Sequence, residues 1–303
     1  MIDRKIKIQI DPEVCDGCGQ CVLVCPSETI SIKNKKAQVT GNESIMCGHC
    51  IAACPKEAIR LKESEFDKIN FDTFVYENKW MKHGEFNTSD LVRLMLSRRS
   101  CRNYKNKNID KNILEDLIKI GTTAPSGSNC QDWTFTIIPT KKDVVRLAEK
   151  IGLFFRKLNK LSENTFLRKG MALMGKKKLE FYYENYYESV KESIERYETE
   201  KIDRLFHGAN AVIMVGGSKK SSCPSEDALL ATQNILLGAH AMGLGTCLIG
   251  FAVNAIANDV TLKSDLGVQK DEKIYSVIAL GYPSERYKKL IVRKKIIPKY
   301  ITF

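Results

Sequence analysis

The sequence predicts an α+β protein in two parts, and three observations point to that fold class. Seven of the 11 cysteines fall within residues 15–54, between short segments typical of strands. Beyond residue 87, helix-capping residues stand before segments with apolar residues at helical spacing. Apolar runs bounded by turn residues then indicate buried strands. A small cysteine-bound unit should therefore precede a larger domain of helices around a sheet.

The first predicted element is a strand, because Met1 to Ile8 alternates charged and aliphatic residues. This segment lacks the apolar stretch of a signal peptide, and no apolar run in the chain approaches the length of a membrane span. Four cysteines outside the clustered region have no paired spacing, and we expect them to stay reduced: Cys101, Cys130, Cys223 and Cys247. We therefore expect a cytoplasmic protein.

The first cysteine run is Cys15-Asp-Gly-Cys18-Gly-Gln-Cys21-Val-Leu-Val-Cys25-Pro26, a full C-x2-C-x2-C-x3-C-P pattern. This spacing is the bacterial signature for holding iron–sulfur clusters, in which the fourth cysteine ligates the other cluster of a pair. Zinc binding and disulfide bonds are the alternatives, and the complete run disfavours both. The sequence therefore predicts a protein that transfers single electrons.

The second run is incomplete. Cys47-Gly-His-Cys50-Ile-Ala-Ala-Cys54-Pro55 repeats the last three cysteines, and Ser44 stands where the first would be. The segments that follow the two runs also align, which indicates an internal repeat. The crossed rule assigns the first cluster, a 4Fe–4S cluster, to Cys15, Cys18, Cys21 and Cys54. It leaves the second cluster with Cys25, Cys47 and Cys50 and without a fourth thiolate.

Three forms of this second cluster stay open. It is a 3Fe–4S cluster, or a 4Fe–4S cluster with Ser44 as a non-cysteine ligand, or a 4Fe–4S cluster ligated by water. A serine oxygen is a harder and more basic ligand than a thiolate. Ser44 can equally be a surface serine beside an exposed iron. Ser44 is therefore a doubtful metal ligand.

The larger part begins after a linker over residues 63–87, which has scattered aromatic residues and no clear period. A helix starts near residue 88 with Thr88 or Ser89 as its N-cap, and a second runs from about residue 110 to 122. The later elements are predicted in this order: a strand at 135–138, a helix at 142–150, a mostly helical stretch at 154–206, a strand at 211–215, a helix at 228–242 and a strand at 276–280. The central helix ends in Gly243-Leu-Gly245, which we interpret as a turn.

The net charge of +12 is concentrated in the larger part. Residues 1–87 hold 12 Lys and Arg against 13 Asp and Glu, whereas residues 88–303 hold 36 against 23. A basic body of this kind attracts nucleotides, phosphates or an acidic redox partner. No nucleic-acid motif accompanies the charge, so we expect neither a nucleic-acid partner nor a membrane partner.

The larger part resembles the nitroreductase family of flavoproteins in four segments that stand in the family's order. Ser97-Arg98-Arg99-Ser100-Cys-Arg102-Asn-Tyr104 is similar to its opening segment, and Ala124-Pro125-Ser126-Gly127-Ser-Asn129-Cys-Gln131-Asp-Trp133 to its next one. The helix from Ala231 with the turn to Thr246 is similar to its central helix, and Gly281-Tyr-Pro283 with Arg293-Lys294 to its closing strand and basic tail. Together these cover about residues 90–295. Asp132 and Leu248 depart from the pattern, which usually has a proline and often an aromatic residue there.

The resemblance implies a bacterial ferredoxin-like domain (1–62), a linker (63–87) and a nitroreductase-like α+β domain (88–303) that binds FMN at the interface of a homodimer. It implies that Arg98, Arg99, Ser100, Arg102 and Arg293 hold the FMN phosphate. It places Pro125, Ser126, Gly127 and Asn129 against the flavin ring, and Ile249 and Gly250 near its N5 atom. No catalytic side chain is expected, because the flavin carries the redox chemistry.

The expected function is an FMN-dependent oxidoreductase that passes single electrons between its clusters and FMN. The acceptor would be an electron-poor small molecule such as a nitroaromatic, a quinone or an activated alkene, and the donor a ferredoxin or NAD(P)H. Two alternatives remain. In the first, a nicotinamide nucleotide reduces the flavin, and the clusters carry electrons out to a protein partner. In the second, the protein is a non-catalytic redox sensor. In the family that the chain resembles, the region corresponding to residues 154–206 shapes the substrate pocket. This segment matches no motif, so the sequence does not identify the substrate.

Overall fold

The computed structural model describes residues 4–62 and 69–303. The first residues of the predicted N-terminal strand and the start of the linker lie outside the described residues. Among the residues that are described, no helix combines the length and apolar character needed to cross a bilayer.

The N-terminal unit is built from two antiparallel strand pairs and two one-turn helices. Its elements are β1 (Ile8–Ile10), α1 (Gln20–Leu23), β2 (Ile30–Lys33), β3 (Lys36–Val39), α2 (His49–Ala52) and β4 (Ile59–Leu61). β1 pairs with β4, and β2 pairs with β3. Ile8, Ile30 and Ile59 are buried together with Cys15 and Cys21. The small core therefore lies directly beneath the cysteine loops.

The larger domain surrounds a four-stranded sheet with helices. Its elements are α3 (Thr88–Ser97), α4 (Lys111–Gly121), β5 (Trp133–Ile138), α5 (Lys141–Glu163), α6 (Thr165–Leu173), α7 (Lys178–Asn185), α8 (Tyr187–Glu200), β6 (Ala211–Ser218), α9 (Pro224–Ala241), β7 (Gly245–Leu248), α10 (Gly250–Asn258), α11 (Val260–Asp265) and β8 (Glu272–Gly281). The strand order is β5-β6-β8-β7, with every neighbouring pair antiparallel. β5 and β7 therefore form opposite edges of the sheet.

Both faces of this sheet are covered, which explains why the central strand β6 is apolar from Ala211 to Val215. Ala211, Ile213 and Val215 of β6 pack in one core with residues of α4 and α9. Val212 and Met214 pack in a second core with residues of α5 and α10. Because side chains alternate between the faces of a strand, an antiparallel strand buried on both faces loses the usual apolar–polar alternation.

Three element predictions need correction. The N-cap of α3 is Asn87, whose side chain accepts from the N–H of Asp90, so neither Thr88 nor Ser89 is the cap. α5 continues past Lys150 to Glu163, because Ile151 and Phe155 extend its buried stripe over the sheet. The turn predicted at Gly245 is instead the start of β7, which pairs with β8 from Gly245 to Leu248.

A buried carboxylate holds the described part of the linker against α4. The Asp116 side chain is fully buried and accepts bonds from the N–H groups of Asp72 and Thr73, from the Thr73 hydroxyl and from Lys119. Burial alone would raise the pKa of Asp116, but these hydrogen bonds outweigh it and lower the pKa to about 2. The carboxylate is therefore charged and bonded throughout the neutral range.

We expect Asp116→Asn to lower the free energy of unfolding at pH 7 by roughly 2 kcal/mol, because bonds to a buried charged group are lost. Since the folded pKa lies below the unfolded value of 3.8, this contribution is complete above pH 4 and is lost only as the pH falls toward about 2. Chemical denaturation at several pH values above 5 measures it. Glu115→Gln, on the same helix in an exposed pair with Lys111, is the control and should change little. Equal losses in the two variants would contradict the anchoring role of Asp116.

Candidate metal and flavin sites

The four cysteines predicted to ligate the complete cluster line one small cavity in the N-terminal unit. These residues are Cys15, Cys18, Cys21 and Cys54. The backbone N–H of Ala37 donates to the Cys15 sulfur at 3.4 Å, and that of Ala58 donates to the Cys54 sulfur at 3.3 Å. Such N–H donors stabilise ligand sulfurs in iron–sulfur sites and tune their potential. The donor set fits a 4Fe–4S cluster held by four thiolates.

The remaining three cysteines of the runs line a second cavity together with Ser44. The cysteines are Cys25, Cys47 and Cys50. The N–H of Thr29 donates to the Cys25 sulfur at 3.3 Å, as the N–H of Ala58 does to Cys54 in the other half of the repeat. The internal repeat in the sequence is therefore also a repeat of hydrogen bonds to sulfur.

Neither cavity has the geometry of a mononuclear site. Among residues 4–62 and 69–303, no three His, Cys, Asp or Glu side chains converge as ligands of a single metal ion do. A cluster of several irons needs its thiolates spread around a larger body. The cysteines around each cavity fit that need.

The Ser44 loop takes the shape that the first repeat achieves with a glycine. The Ser44 hydroxyl accepts from the N–H of Met46 at 3.0 Å. Met46 has φ 51°, and its counterpart two residues after Cys15 is Gly17 with φ 75°. A methionine in this left-handed region is unusual and is held there by its surroundings. Ser44 thus occupies the ligand position of the repeat, and its role as a ligand stays a prediction.

One contact that holds Met46 comes from the larger domain. The side-chain amide of Asn129 donates to the carbonyl of Met46 at 2.9 Å and to that of Ile45 at 3.2 Å. Asn129 itself has φ 52°. The loop between Ser44 and Cys47 is therefore bonded to the segment predicted to contact the flavin ring. The sequence predicts that the Asn129 amide contacts the flavin, and it contains no signal of this contact between the domains.

The arginines predicted to hold the phosphate form a cluster of like charge. Burial and the neighbouring Arg293 and Arg99 lower the pKa of Arg98. Within the described part of the chain, none of the side chains of Arg98, Arg99, Arg102 and Arg293 forms an ion pair with a carboxylate. Uncompensated guanidinium groups that repel one another fit a bound dianion such as a phosphate.

The loop that carries these arginines is held against β7 by close packing. Ser100 bridges to Thr246, and the N–H of Cys101 donates to the Thr246 carbonyl at 2.8 Å. A side chain at Gly245 would lie 2.7 Å from the Cys101 sulfur, so only glycine allows this approach. Burial and the Glu285 carboxylate raise the pKa of Cys101 to about 12, and its protonated thiol donates to Glu285 at 3.0 Å. Glu285 was not predicted, although it follows the closing Gly-Tyr-Pro motif by two residues.

The other predicted flavin segment is held by Asp227, which the sequence analysis also missed. The buried Asp227 carboxylate accepts from the N–H of Gly127 at 2.9 Å and from the Cys130 thiol at 3.5 Å, and its carbonyl accepts from the Trp133 indole at 3.1 Å. The available signal was its place beside Glu226 in the first turn of α9, where acidic residues are favoured. Asp227 fixes the position of the segment from Pro125 to Asn129.

The two halves of the predicted flavin site lie at opposite edges of the sheet. The segment 125–129 leads into β5, whereas Ile249 and Gly250 follow β7. Trp133 of β5 and Leu248 of β7 lie three strands apart across the sheet and are offset by five residues along it. The distance between them is therefore roughly 20 Å. The helix α9 spans a similar distance between the two halves. Asp227, which binds the segment 125–129, lies near its start, and His240 lies near its end. Burial and the charge of Arg98 lower the pKa of His240, so the end of α9 is near the arginine loop. The three fused rings of one flavin fall well short of that distance.

A large cavity of about 1340 Å³ opens beside the β7 half. Arg102, Cys247, Leu248, Ile249 and Gly250 border it, and its aromatic wall comes from α5, α7 and α10: Phe154, Phe155, Phe181, Tyr182, Tyr186 and Phe251. Phe251 makes edge contacts with the rings of Phe155 and Tyr186 at centroid distances of 5.5 and 5.7 Å. The arrangement suits a flat cofactor and a flat apolar substrate.

Comparisons with known proteins match two separate parts of the chain. The family model described as the nitroreductase family matches residues 95–282, and the model described as a 4Fe–4S dicluster domain matches residues 7–55. A putative NADH dehydrogenase/NAD(P)H nitroreductase of Archaeoglobus fulgidus is 22% identical over 200 residues, which is 65% of this chain and 87% of that protein. Iodotyrosine deiodinase 1 of Sus scrofa is 25% identical over 150 residues, 40% of this chain and 51% of its own.

Two solved structures have the fold of the larger domain. A nitroreductase with bound FMN from Bacteroides fragilis has a TM-score of 0.51 and 22% identity, covering 71% of this chain and 99% of its own. A nitroreductase with bound FMN from Desulfitobacterium hafniense has a TM-score of 0.50 and 22% identity, covering 70% and 97%.

The Ser44 position yields a direct test of the second cluster. Anaerobically prepared protein should contain about seven irons per chain and give a paramagnetic signal when oxidised, if the second cluster is a three-iron cluster. Ser44→Cys completes the repeat, so it should raise the count to about eight and remove that signal. Iron analysis and electron paramagnetic resonance measure both. A count near eight without the signal in the unmodified protein would exclude the three-iron form, and Ser31→Ala, on β2 outside both cavities, is the control.

Proposed function

We propose, because this chain belongs to the nitroreductase family and carries an N-terminal 4Fe–4S dicluster domain, that it passes single electrons between its clusters and FMN to reduce an electron-poor small molecule. FMN, when bound, would accept electrons one at a time and deliver them in pairs. We take the ferredoxin-like domain as residues 1–62, the linker as 63–87 and the FMN domain as 88–303. The acceptor class is a nitroaromatic, a quinone or an activated alkene.

The observation that carries this proposal is the hydrogen-bonded contact of Asn129 with the carbonyls of Ile45 and Met46. It joins the loop beside Cys47 to the segment predicted to lie against the flavin ring. Contact between a cluster's ligand loop and the predicted flavin segment supports direct electron exchange between the two. A protein whose flavin exchanges electrons only with nicotinamide nucleotides would have no use for a cluster at this contact.

The residues around the predicted cofactor support FMN. Arg98, Arg99, Arg102 and Arg293 supply cationic donors for its phosphate, with Ser100 beside them. The aromatic wall near Leu248 leaves a flat space over which an acceptor can stack. No acid or base from this chain is required, since the protein's part is to bind, orient and exclude water.

A homodimer is part of the proposal, because one chain cannot bring both halves of the flavin site together. The surfaces for a second copy are exposed and apolar. α3 exposes Leu91, Val92 and Met95, and the extended C-terminal tail exposes Val292 and Ile297 by 93% and 83%. Exposed apolar residues grouped on one helix and along an extended tail are typical of interaction surfaces. A second copy would cover them and complete each site with residues from both chains.

The direction of electron flow separates this proposal from its main alternative. Ferredoxin-type clusters reach potentials low enough to drive difficult reductions, so clusters at the entrance suit a reductase. If a nicotinamide nucleotide reduces the flavin, the clusters become the exit toward a protein acceptor. A redox sensor would turn over with no acceptor.

The test is anaerobic bleaching of the flavin absorbance with reduced ferredoxin, NADH and NADPH in separate experiments. We expect rapid bleaching by reduced ferredoxin, and we expect Cys25→Ser to abolish it because the second cluster loses a ligand. Ser31→Ala should bleach as the unmodified protein does. Bleaching by a nicotinamide nucleotide alone, unaffected by Cys25→Ser, would reject clusters at the entrance.

A further inference from the structure

Each half of the predicted flavin site has its own neighbours in the fold. The β5 half, Pro125 to Asn129, holds the ferredoxin-like unit of its own chain through the Asn129 bonds to Ile45 and Met46. The β7 half contains Ile249 and the loop of Arg98 and Arg102, which Thr246 and Glu285 hold. The two halves of one chain are roughly 20 Å apart across the sheet.

A complete flavin site therefore combines the β7 half of one chain with the β5 half of another. The ferredoxin-like unit is bonded to the β5 half, so it accompanies that half into the shared site. A flavin whose phosphate is bound by one chain therefore lies beside the ferredoxin-like unit of the other chain.

We infer that electrons cross between chains: the ferredoxin-like unit of one chain reduces the flavin whose phosphate is bound by Arg98 and Arg102 of the other. This inference rests on the proposed function. The metal site of Cys25, Cys47 and Cys50 is the last one before the flavin, because its loop, between Ser44 and Cys47, is the one that Asn129 binds. The cavity of Cys15, Cys18, Cys21 and Cys54 is then the entrance.

The electron balance requires two transfers for each reduction. A low-potential one-electron donor such as reduced ferredoxin is oxidised at the entrance site. Each transfer oxidises the site of Cys25, Cys47 and Cys50 by one electron, and two transfers together with protons from solvent complete the reduction of the flavin. No bond within the chain forms or breaks.

Mixed dimers distinguish transfer between chains from transfer within a chain. One chain, with its own affinity tag, carries Arg98→Ala and Arg102→Ala and cannot hold the phosphate. The other chain carries Cys47→Ser and Cys50→Ser and lacks the last metal site. Sequential purification on both tags isolates the mixed dimer, whose FMN content should be half that of the unmodified dimer.

The FMN that remains in this dimer is bound by the intact arginines of the chain that carries the cysteine substitutions. If electrons cross between chains, this FMN receives them from the intact metal site of the other chain. It should bleach with reduced ferredoxin at the unmodified rate per flavin. A reciprocal dimer with all four substitutions on one chain and none on the other also keeps half the FMN, but should lose bleaching. Bleaching only in the reciprocal dimer would overturn the inference.

Two controls keep these outcomes interpretable. The homodimer of Cys47→Ser and Cys50→Ser should retain full FMN, which shows that its flavin halves are folded. Should it lose FMN, Cys25→Ser replaces the pair. If the unmodified dimer itself fails to bleach with reduced ferredoxin, the proposed function fails, and this result is distinct from a reversed pattern in the mixed dimers.

Discussion

The order of four strands determines how this protein can work. Because β5 and β7 are opposite edges of one antiparallel sheet, the segment ending at Asn129 and the turn at Ile249 cannot meet within a chain. The packing that fixes this order is strong, since β6 is buried on both faces between two apolar cores. In the proposed homodimer, a flavin that contacts both segments would lie between two copies, and the exposed apolar residues of α3 and of the C-terminal tail would form the contact surfaces.

The ferredoxin-like unit is joined to this frame by a loop that departs from its own repeat. Where the first run has Cys15 and Gly17, the second has Ser44 and Met46, yet both loops keep a left-handed backbone at the second position. The Asn129 amide binds the carbonyls of the Ser44 loop. The half of the repeat that lacks one cysteine is thus also the half that contacts the larger domain. In the proposed electron path, this contact brings the second metal site toward the flavin, and the first metal site receives electrons from an external donor.

Local patterns in the sequence predicted the parts that depend on neighbouring residues. Cysteine spacing predicted which side chains line each cavity, and the helix predicted at about 110–122 agrees with α4 nearly to its ends. Long-range features were missed. β7 exists because β8 is available to pair with it, and α5 continues through Gly152 because Phe155 packs beyond it. Asp227, Glu285 and the interdomain bonds of Asn129 act across 80 or more residues of sequence, where no local pattern identifies the partner.

The central claim is that each flavin site is shared by two chains, and flavin release on dilution tests it most directly. Native mass spectrometry of the holoprotein over a range of concentrations would record chains and FMN together. We expect dimers that carry FMN and monomers that carry none, with flavin release following dimer dissociation at every concentration. A monomer that keeps its FMN would show instead that one chain forms the whole site.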